Sequence, residues 1–530
     1  MLLKLRVTLL AVLLVAVQAN LATWTGVNNL RSDAFGSQPF SPELYRELYS
    51  LEDAGGNDLF TNKVDGYSFL VSKGFTVDMS LSGVGAVLEK PGLRIEVYKQ
   101  YVGNIGRRAY ISYSNYYLKN STDYVLHYDY SWQAGSLQVD ALYYSRDKLA
   151  RIADDNNHYL CLELAFWPYH YNYTIMLKSH ASLGGVEVAE YLAANFTAFA
   201  PTAAPYTRLS SPPDLSQRGF SSAAEAFYRR YFDSAAPLAW GIFEPRSNWL
   251  DYSTLEFYES YFAYEFPILL DYTDFSSKIA HFGLQDKLSQ AKQRNKTLLL
   301  TLQTTYVPGE RNMLYAVLDG EYDAFIRDYA RKLAAIGEPV LFRLGNEMNG
   351  DWCPYSAIKA GKDTTVFQAF YRYIYALFRQ EGADNVIWVW NPNGRSFPNF
   401  LWNHELMYYP GDSYVDIVGL TAYNTGTYYY NYGERWQSFA ELYDDLYRGY
   451  LRLYGQPLMI TEFASASMGG DKEQWVRDMF AHIVNMERIK VAVWWDAVDY
   501  DTKGNVARSY VIDETPELMA IFRANLGGKD

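Results

Sequence analysis

Two cysteines in 530 residues are too few for a disulfide scaffold. Cys161 and Cys353 could make at most one bridge, which would tie an N-terminal region to a C-terminal one, and a free pair is the expectation. Positive charge is also in deficit, with 47 Lys and Arg against 60 Asp and Glu and a formal charge of −13. Nucleic-acid binders need clustered cations to neutralise phosphates, and no basic run occurs, so that class is excluded. Histidine is sparse. The seven (His127, His158, His170, His180, His281, His404 and His482) show no His-Glu-x-x-His and no short paired spacing, so no metal or other cofactor is expected. A Gly-x-Ser-x-Gly elbow and a P-loop are absent. Beyond the first 17 residues no apolar run approaches the about 20 that cross a bilayer, so the mature chain is expected to be soluble, without membrane contact.

What is abundant is aromatic surface: 49 Tyr and 13 Trp. Flat apolar faces with a polar edge suit stacked, hydrogen-bonded ligands such as sugars. Tyrosine also serves β-strands, so composition leaves both uses open. With 49% apolar residues there is ample surface to bury against the entropy of folding, and the length suggests one large domain and a smaller one. Lys4 and Arg6 precede an apolar run from Val7 to Val17, and Val17-Gln18-Ala19 places small residues at −3 and −1. Residues 1–19 therefore read as a signal peptide, and the protein as secreted. No Cys follows the run to carry a lipid anchor. Asn120, Asn172, Asn195 and Asn295 begin Asn-x-Ser/Thr sites.

Residues 24–200 form a β-rich accessory domain, expected to be an antiparallel sandwich. Its period-two or β-rich runs are Leu93 to Val102, Arg108 to Leu118, Tyr124 to Trp132, Ser136 to Arg146 and Tyr173 to Ser179. A helical pattern follows from Gly185 to Ala200. Pro201, Pro205, Pro212 and Pro213 then mark a linker, so residues 201–235 read as linker and connecting helix. From 236 to 530 the rhythm changes to short buried runs separated by amphipathic stretches. The runs are Leu238 to Phe243, Phe266 to Leu270, Thr297 to Leu302, Val340 to Leu344, Val386 to Trp390, Val415 to Leu420, Leu458 to Thr461 and Val491 to Trp495. Stretches such as Glu321 to Ala335, Val366 to Gln380, Phe439 to Leu453 and Lys472 to Met486 repeat apolar residues at i, i+3 and i+4. Eight such alternations predict a (β/α)8 TIM barrel. A doubly wound sheet would be expected to place a Gly-rich loop after its first strand, where this chain has Glu244-Pro245-Arg246.

A barrel keeps its chemistry at the C-terminal ends of its strands. The fourth run ends in Arg343-Leu344-Gly345-Asn346-Glu347 and the seventh in Ile460-Thr461-Glu462-Phe463. Strands four and seven lie nearly opposite in an eight-stranded ring, so the two glutamates can face each other across the mouth. Two carboxyls about 5–5.5 Å apart are the requirement of a retaining glycosidase.

At these residues the chain resembles glycoside hydrolase family 26, which includes β-mannanases and related β-glycanases on clan A barrels. The resemblance rests on Gly320-Glu321-Tyr322-Asp323, Gly345-Asn346-Glu347-Met348-Asn349-Gly350-Asp351-Trp352, Asn385 to Asn393, Tyr409-Pro410-Gly411-Asp412 and Ile460-Thr461-Glu462-Phe463, and covers about residues 238 to 526. It implies Glu347 as general acid/base and Glu462 as nucleophile. It also implies Asn346 on the hydroxyl beside the reacting carbon, and Tyr423 as the tyrosine that orients the nucleophile. Trp352 and one of Trp494 or Trp495 would be stacking platforms, and period two favours Trp495. Arg343, four before Glu347, would support the site electrostatically or serve a salt bridge within the barrel. Two departures stand out. Many β-mannanases of the family carry His where this chain has Asn346, and Tyr355 replaces a frequent second Trp.

The resulting expectation is a secreted, cofactor-independent retaining endo-β-glycanase acting on β-mannan or a related polysaccharide. A non-catalytic carbohydrate-binding protein on a degenerate barrel and a matrix structural protein are the rivals. Asp496, Asp499, Asp501 and Asn505 lack EF-hand spacing and read as turn caps. Oligomeric state is left open.

Overall fold

The computed structural model describes residues 45–205, 210–275, 283–304 and 310–527. The expected signal peptide lies outside them. Among the described residues no helix is long and apolar enough to cross a membrane.

The N-terminal domain is two antiparallel sheets. Strands Tyr49–Asp53, Asn57–Asn62, Tyr67–Ser72 and Thr197–Ala198 form the smaller. The larger has seven strands, in the order Thr76–Asp78, Ala86–Lys90, Leu93–Tyr101, Tyr171–Ser179, His158–Phe166, Leu137–Ser145, Val125–Ala134. Phe60 and Phe69 from one sheet meet Val97, Leu162 and Ile175 from the other in a shared core, as a sandwich requires. The opposite face of the large sheet is buried too, but polar: Glu96, Glu163, Asn172, Thr174 and Lys178 lie on it.

One expected strand is a helix. Arg108 to Leu118 falls within helix Arg107–Asn120, whose buried Tyr110, Ser114 and Leu118 recur every four residues. Four tyrosines in this segment favour strand by propensity, and packing against the sheet and the barrel overrides that preference.

The second domain is a closed parallel barrel of Ala239–Phe243, Ile268–Asp274, Thr297–Gln303, Val340–Leu344, Val386–Trp390, Ile417–Thr421, Leu458–Phe463 and Ile489–Trp495. These are the eight predicted runs, shifted at most by a few residues. Helix Ser222–Phe232, capped by Ser221, closes the floor of the barrel. Its Ala224, Tyr228 and Phe232 share a cluster with Ile268, Leu299, Leu341 and Val491 from the barrel interior.

The proline-rich linker is fastened at its C-terminal end. Ser210 Oγ donates to Gln456 at 2.7 Å, Ser211 N to Asp412 at 2.9 Å, and Arg218 pairs with Asp416 at 2.8 Å. Nor is the accessory domain held by the linker alone, because its polar sheet face docks on the barrel. Lys178 bridges Glu96 at 2.8 Å and Asp363 at 2.7 Å; Lys362 reaches Glu163 at 3.5 Å. Tyr124 and Tyr315 share a hydrogen bond of 2.7 Å, and Tyr144 Oη donates to the Gly361 carbonyl at 2.7 Å. Both cysteines are free and buried, Cys161 within this interface, where burial foremost pushes its thiol up to about 12. Asn172 is wholly buried and donates to Glu163 at 2.6 Å, which closes that glycosylation site in the folded protein. Asp501 caps a turn, accepting from the amides of Lys503 and Asn505 at 2.8 Å each.

Candidate active site

Barrel interiors are filled by side chains of alternating parity. Here the uppermost filling is polar. Arg343, fully buried on the fourth strand, donates to Thr301 Oγ1 at 2.7 Å, Asn391 Oδ1 at 3.0 Å and Glu462 Oε2 at 3.2 Å. Asn391 also accepts from Thr461 Oγ1 at 2.8 Å, so strands three, four, five and seven are joined in one hydrogen-bonded layer. Arg343 is thus a buried partner of Glu462 and lies over the Tyr272 ring, with its guanidinium 5.6 Å from the ring centroid.

Glu462 owes its direction to a bulge. Leu420 pairs with Ile460 and Thr421 with Glu462, leaving Thr461 as an extra residue. Strict alternation from Met459, which lies in the barrel core, would turn Glu462 outward; the inserted residue returns it to the mouth. Its carboxylate accepts from Arg343 and from the Tyr272 hydroxyl.

Glu347 stands beyond the end of its strand at φ 55°, a conformation that costs about 1 kcal/mol or more for a residue with a Cβ. Its amide donates to the Asn391 carbonyl at 2.7 Å, which holds the turn. Trp352 Nε1 donates to one carboxylate oxygen at 3.2 Å and Asn393 Nδ2 to the other at 3.0 Å. Burial first, and then the charge of Glu462, raise the Glu347 carboxyl to about 7, against the opposing pull of Arg343, Trp352 and Asn393. The two carboxylates therefore sense each other and sit in different surroundings.

Asn346 is buried beside Glu347, with its carbonyls accepting from Tyr355 Oη at 2.8 and 3.3 Å. Trp352 is 46% exposed, with its indole edge on Glu347. Trp495 faces inward, stacked on Phe243 with centroids 5.3 Å apart, whereas Trp494 points to the outer helices and packs on Phe522. Tyr423 lies in the same cluster, edge-on to Trp495 at 6.2 Å. Its hydroxyl is held well above the usual range by burial and then by Glu462, but the tyrosine bonded to Glu462 is Tyr272. In the sequence Tyr272 shows only its inward parity, two past Leu270, because Asp271 interrupts the second apolar run before the strand ends. Asn391 and Asn393 were visible inside a motif without any sign of what they hold. A separate cavity of about 530 Å3, lined by Arg107, Ile111, Lys119, Asp140, Leu142 and Glu163 among others, lies under helix Arg107–Asn120. The mouth carboxylates do not line it.

Fold and site define a (β/α)8 barrel with a glutamate pair at the tips of strands four and seven. A model described as Glycosyl hydrolase family 26 matches residues 290–447, which include Glu347. Endoglucanase H of Acetivibrio thermocellus is 33% identical over 229 residues, covering 43% of this chain and 24% of that protein. A mannan endo-1,4-beta-mannosidase of Bacillus subtilis is 35% identical over 111 residues, covering 20% of this chain and 29% of that protein. These matches fall in the C-terminal domain, which is thereby similar to glycosyl hydrolase family 26, and the chain spans less than a third of the length of these relatives. Among solved structures, a modular endo-beta-1,4-mannanase from Cellulomonas fimi aligns with a TM-score of 0.44 at 15% identity, covering 60% of this chain and 76% of that one. A GH26 beta-mannanase from Bacteroides ovatus aligns at 0.42 and 13%, covering 58% and 94%.

Proposed function

We propose that the protein is a secreted retaining endo-β-glycanase that hydrolyses a polysaccharide by double displacement, with no cofactor. The observation that carries this reading is the contrast between the two glutamates: Glu347 raised to about 7 and, among the described residues, without a cation bonded to it, and Glu462 bonded by Arg343 and Tyr272. In the first step Glu462 attacks the anomeric carbon. The bond to the leaving oxygen breaks as Glu347 gives that oxygen its proton, leaving a glycosyl ester. Esterification removes the Glu462 charge, so Glu347 becomes a stronger acid and its carboxylate is ready as base. It then takes a proton from water, the water oxygen attacks the same carbon, and Glu462 leaves as carboxylate. Two inversions give net retention.

For substrate, a β-glucan is favoured over β-mannan. The longer of the two matches is to a protein named endoglucanase, and Asn346 stands where many β-mannanases of the family carry His. Secretion is inferred from the leader-like residues 1–19 alone.

The test is reducing-end release by the purified chain from mixed-linkage glucan, mannan and xylan, with NMR of the first-formed anomer. Glu462→Ala is expected to lower turnover about 10⁴-fold or more, with azide restoring turnover as a glycosyl azide. Binding of a glycan without release of reducing ends would instead support a non-catalytic carbohydrate-binding barrel.

A further inference from the structure

The loops that hold Glu347 are themselves held by the N-terminal domain. Asp351, beside Trp352, accepts from the hydroxyl of Tyr113 on helix Arg107–Asn120. Phe400 packs edge-on against Tyr110 at 4.5 Å and Tyr113 at 6.1 Å, and Leu401 N donates to Gln100 Oε1 of the large sheet at 2.8 Å. From Phe400 a short path leads back to the carboxylate. Asn403 donates to the Asn349 carbonyl at 2.8 Å, Asn349 accepts from the Asn393 amide at 2.8 Å, and Asn393 donates to Glu347.

The same elements leave aromatic surface open. Phe397 packs on Trp352 at 5.5 Å, and Phe397, Trp352 and Tyr113 are 44%, 46% and 41% exposed. Their side of the mouth follows from the chemistry. A general acid must reach the glycosidic oxygen, which departs with the leaving group, so surface continuing outward from the acid meets the leaving-group sugars. Trp352 has its indole N–H on Glu347, and its neighbour Asp351 is bound to Tyr113.

We propose that helix Arg107–Asn120 of the N-terminal domain completes the leaving-group side of the cleft, with Tyr113 as a stacking and positioning residue for the leaving-group sugars of a β-linked polysaccharide. The accessory domain is then part of the active-site wall, not a detachable binding module. This rests on the glycanase reading above.

The test uses the full chain with Tyr113→Ala and Tyr113→Phe, and Tyr130→Ala as an exposed aromatic control on the same domain. Substrates are the polysaccharide cleaved by wild type and the matching 4-nitrophenyl β-bioside, whose leaving group carries no sugar. Tyr113→Ala is expected to raise KM on the polysaccharide about fivefold, the scale of one lost aromatic contact, and to alter the lengths of early products. The aryl glycoside should be cleaved as by wild type. Tyr113→Phe, which keeps the ring and loses the bond to Asp351, should keep a KM on the polysaccharide close to that of wild type. Unchanged polysaccharide kinetics in Tyr113→Ala, or an equal loss on both substrates with an unchanged melting point, would overturn the proposal while leaving the glycanase reading intact. A wild-type chain that releases no reducing ends and cleaves no bioside would overturn both.

Discussion

Two of the clusters of buried charge in this molecule, one between the domains and one at the barrel mouth, are balanced differently. Between the domains each buried acid has a cation: Arg94 and Lys178 at Glu96, Lys178 at Asp363, and Lys362 at Glu163. Burial alone would raise the Glu96 and Asp363 carboxyls, yet Lys178, helped by Arg94 at Glu96, holds both below their usual range. At the barrel mouth, among the described residues, Arg343 is the cation bonded to the glutamate pair, and of the two it bonds Glu462. Glu347 is left under-compensated and rises to about 7. A matched buried pair is costly to break, whereas a deficit of one cation leaves an acid poised to exchange its proton near neutrality.

That contrast can be broken from either side. Glu347→Gln removes the under-compensated acid. Turnover of polysaccharide should fall about 10²–10⁴-fold, with a much smaller loss on aryl glycosides whose leaving group needs no proton. Its melting temperature should equal or exceed that of wild type, since an amide relieves a desolvated charge. Lys178→Met attacks the balanced network and should do the reverse. With Glu96 and Asp363 left unpaired, urea unfolding should show a loss of about 3–5 kcal/mol, while the protein that remains folded keeps the pH profile of wild type. A smaller effect sharpens the picture of the mouth. The Trp352 N–H favours the charged form of Glu347, so Trp352→Phe should raise the Glu347 pKa further and extend the protonated acid to higher pH. The alkaline limb of kcat/KM on the polysaccharide, whose leaving oxygen needs that proton, should move upward; a downward shift would contradict the hydrogen bond as the tuning contact.

Much of the barrel was readable because its information is local. Each strand is a short apolar run, each helix repeats at i, i+3 and i+4, and Phe439–Leu453 begins and ends where the pattern does. Glu347 and Glu462 were legible for a related reason, as polar residues that terminate apolar runs. Tyr272 was not, because Asp271 interrupts the second run before the strand does, and because its bond to Glu462 joins residues far apart in the chain. Helix Arg107–Asn120 is not legible in the sequence, because tyrosine serves strand and packed helix alike. The choice between Trp494 and Trp495 followed simple alternation, while Glu462 required a bulge that no alternation rule contains.

By itself, then, the sequence determined the βα order, the two carboxylates and the apolar surface that each element buries, since propensity, period and strand ends are properties of neighbours in the chain. Tertiary structure alone decided which side chains meet: Tyr272 with Glu462, Asn393 with Glu347, Lys178 with Asp363, and Tyr113 with Asp351. Those encounters set the charge balance at each site, because the field on a buried carboxyl depends on what lies within a few ångströms in space and not on what lies beside it in sequence.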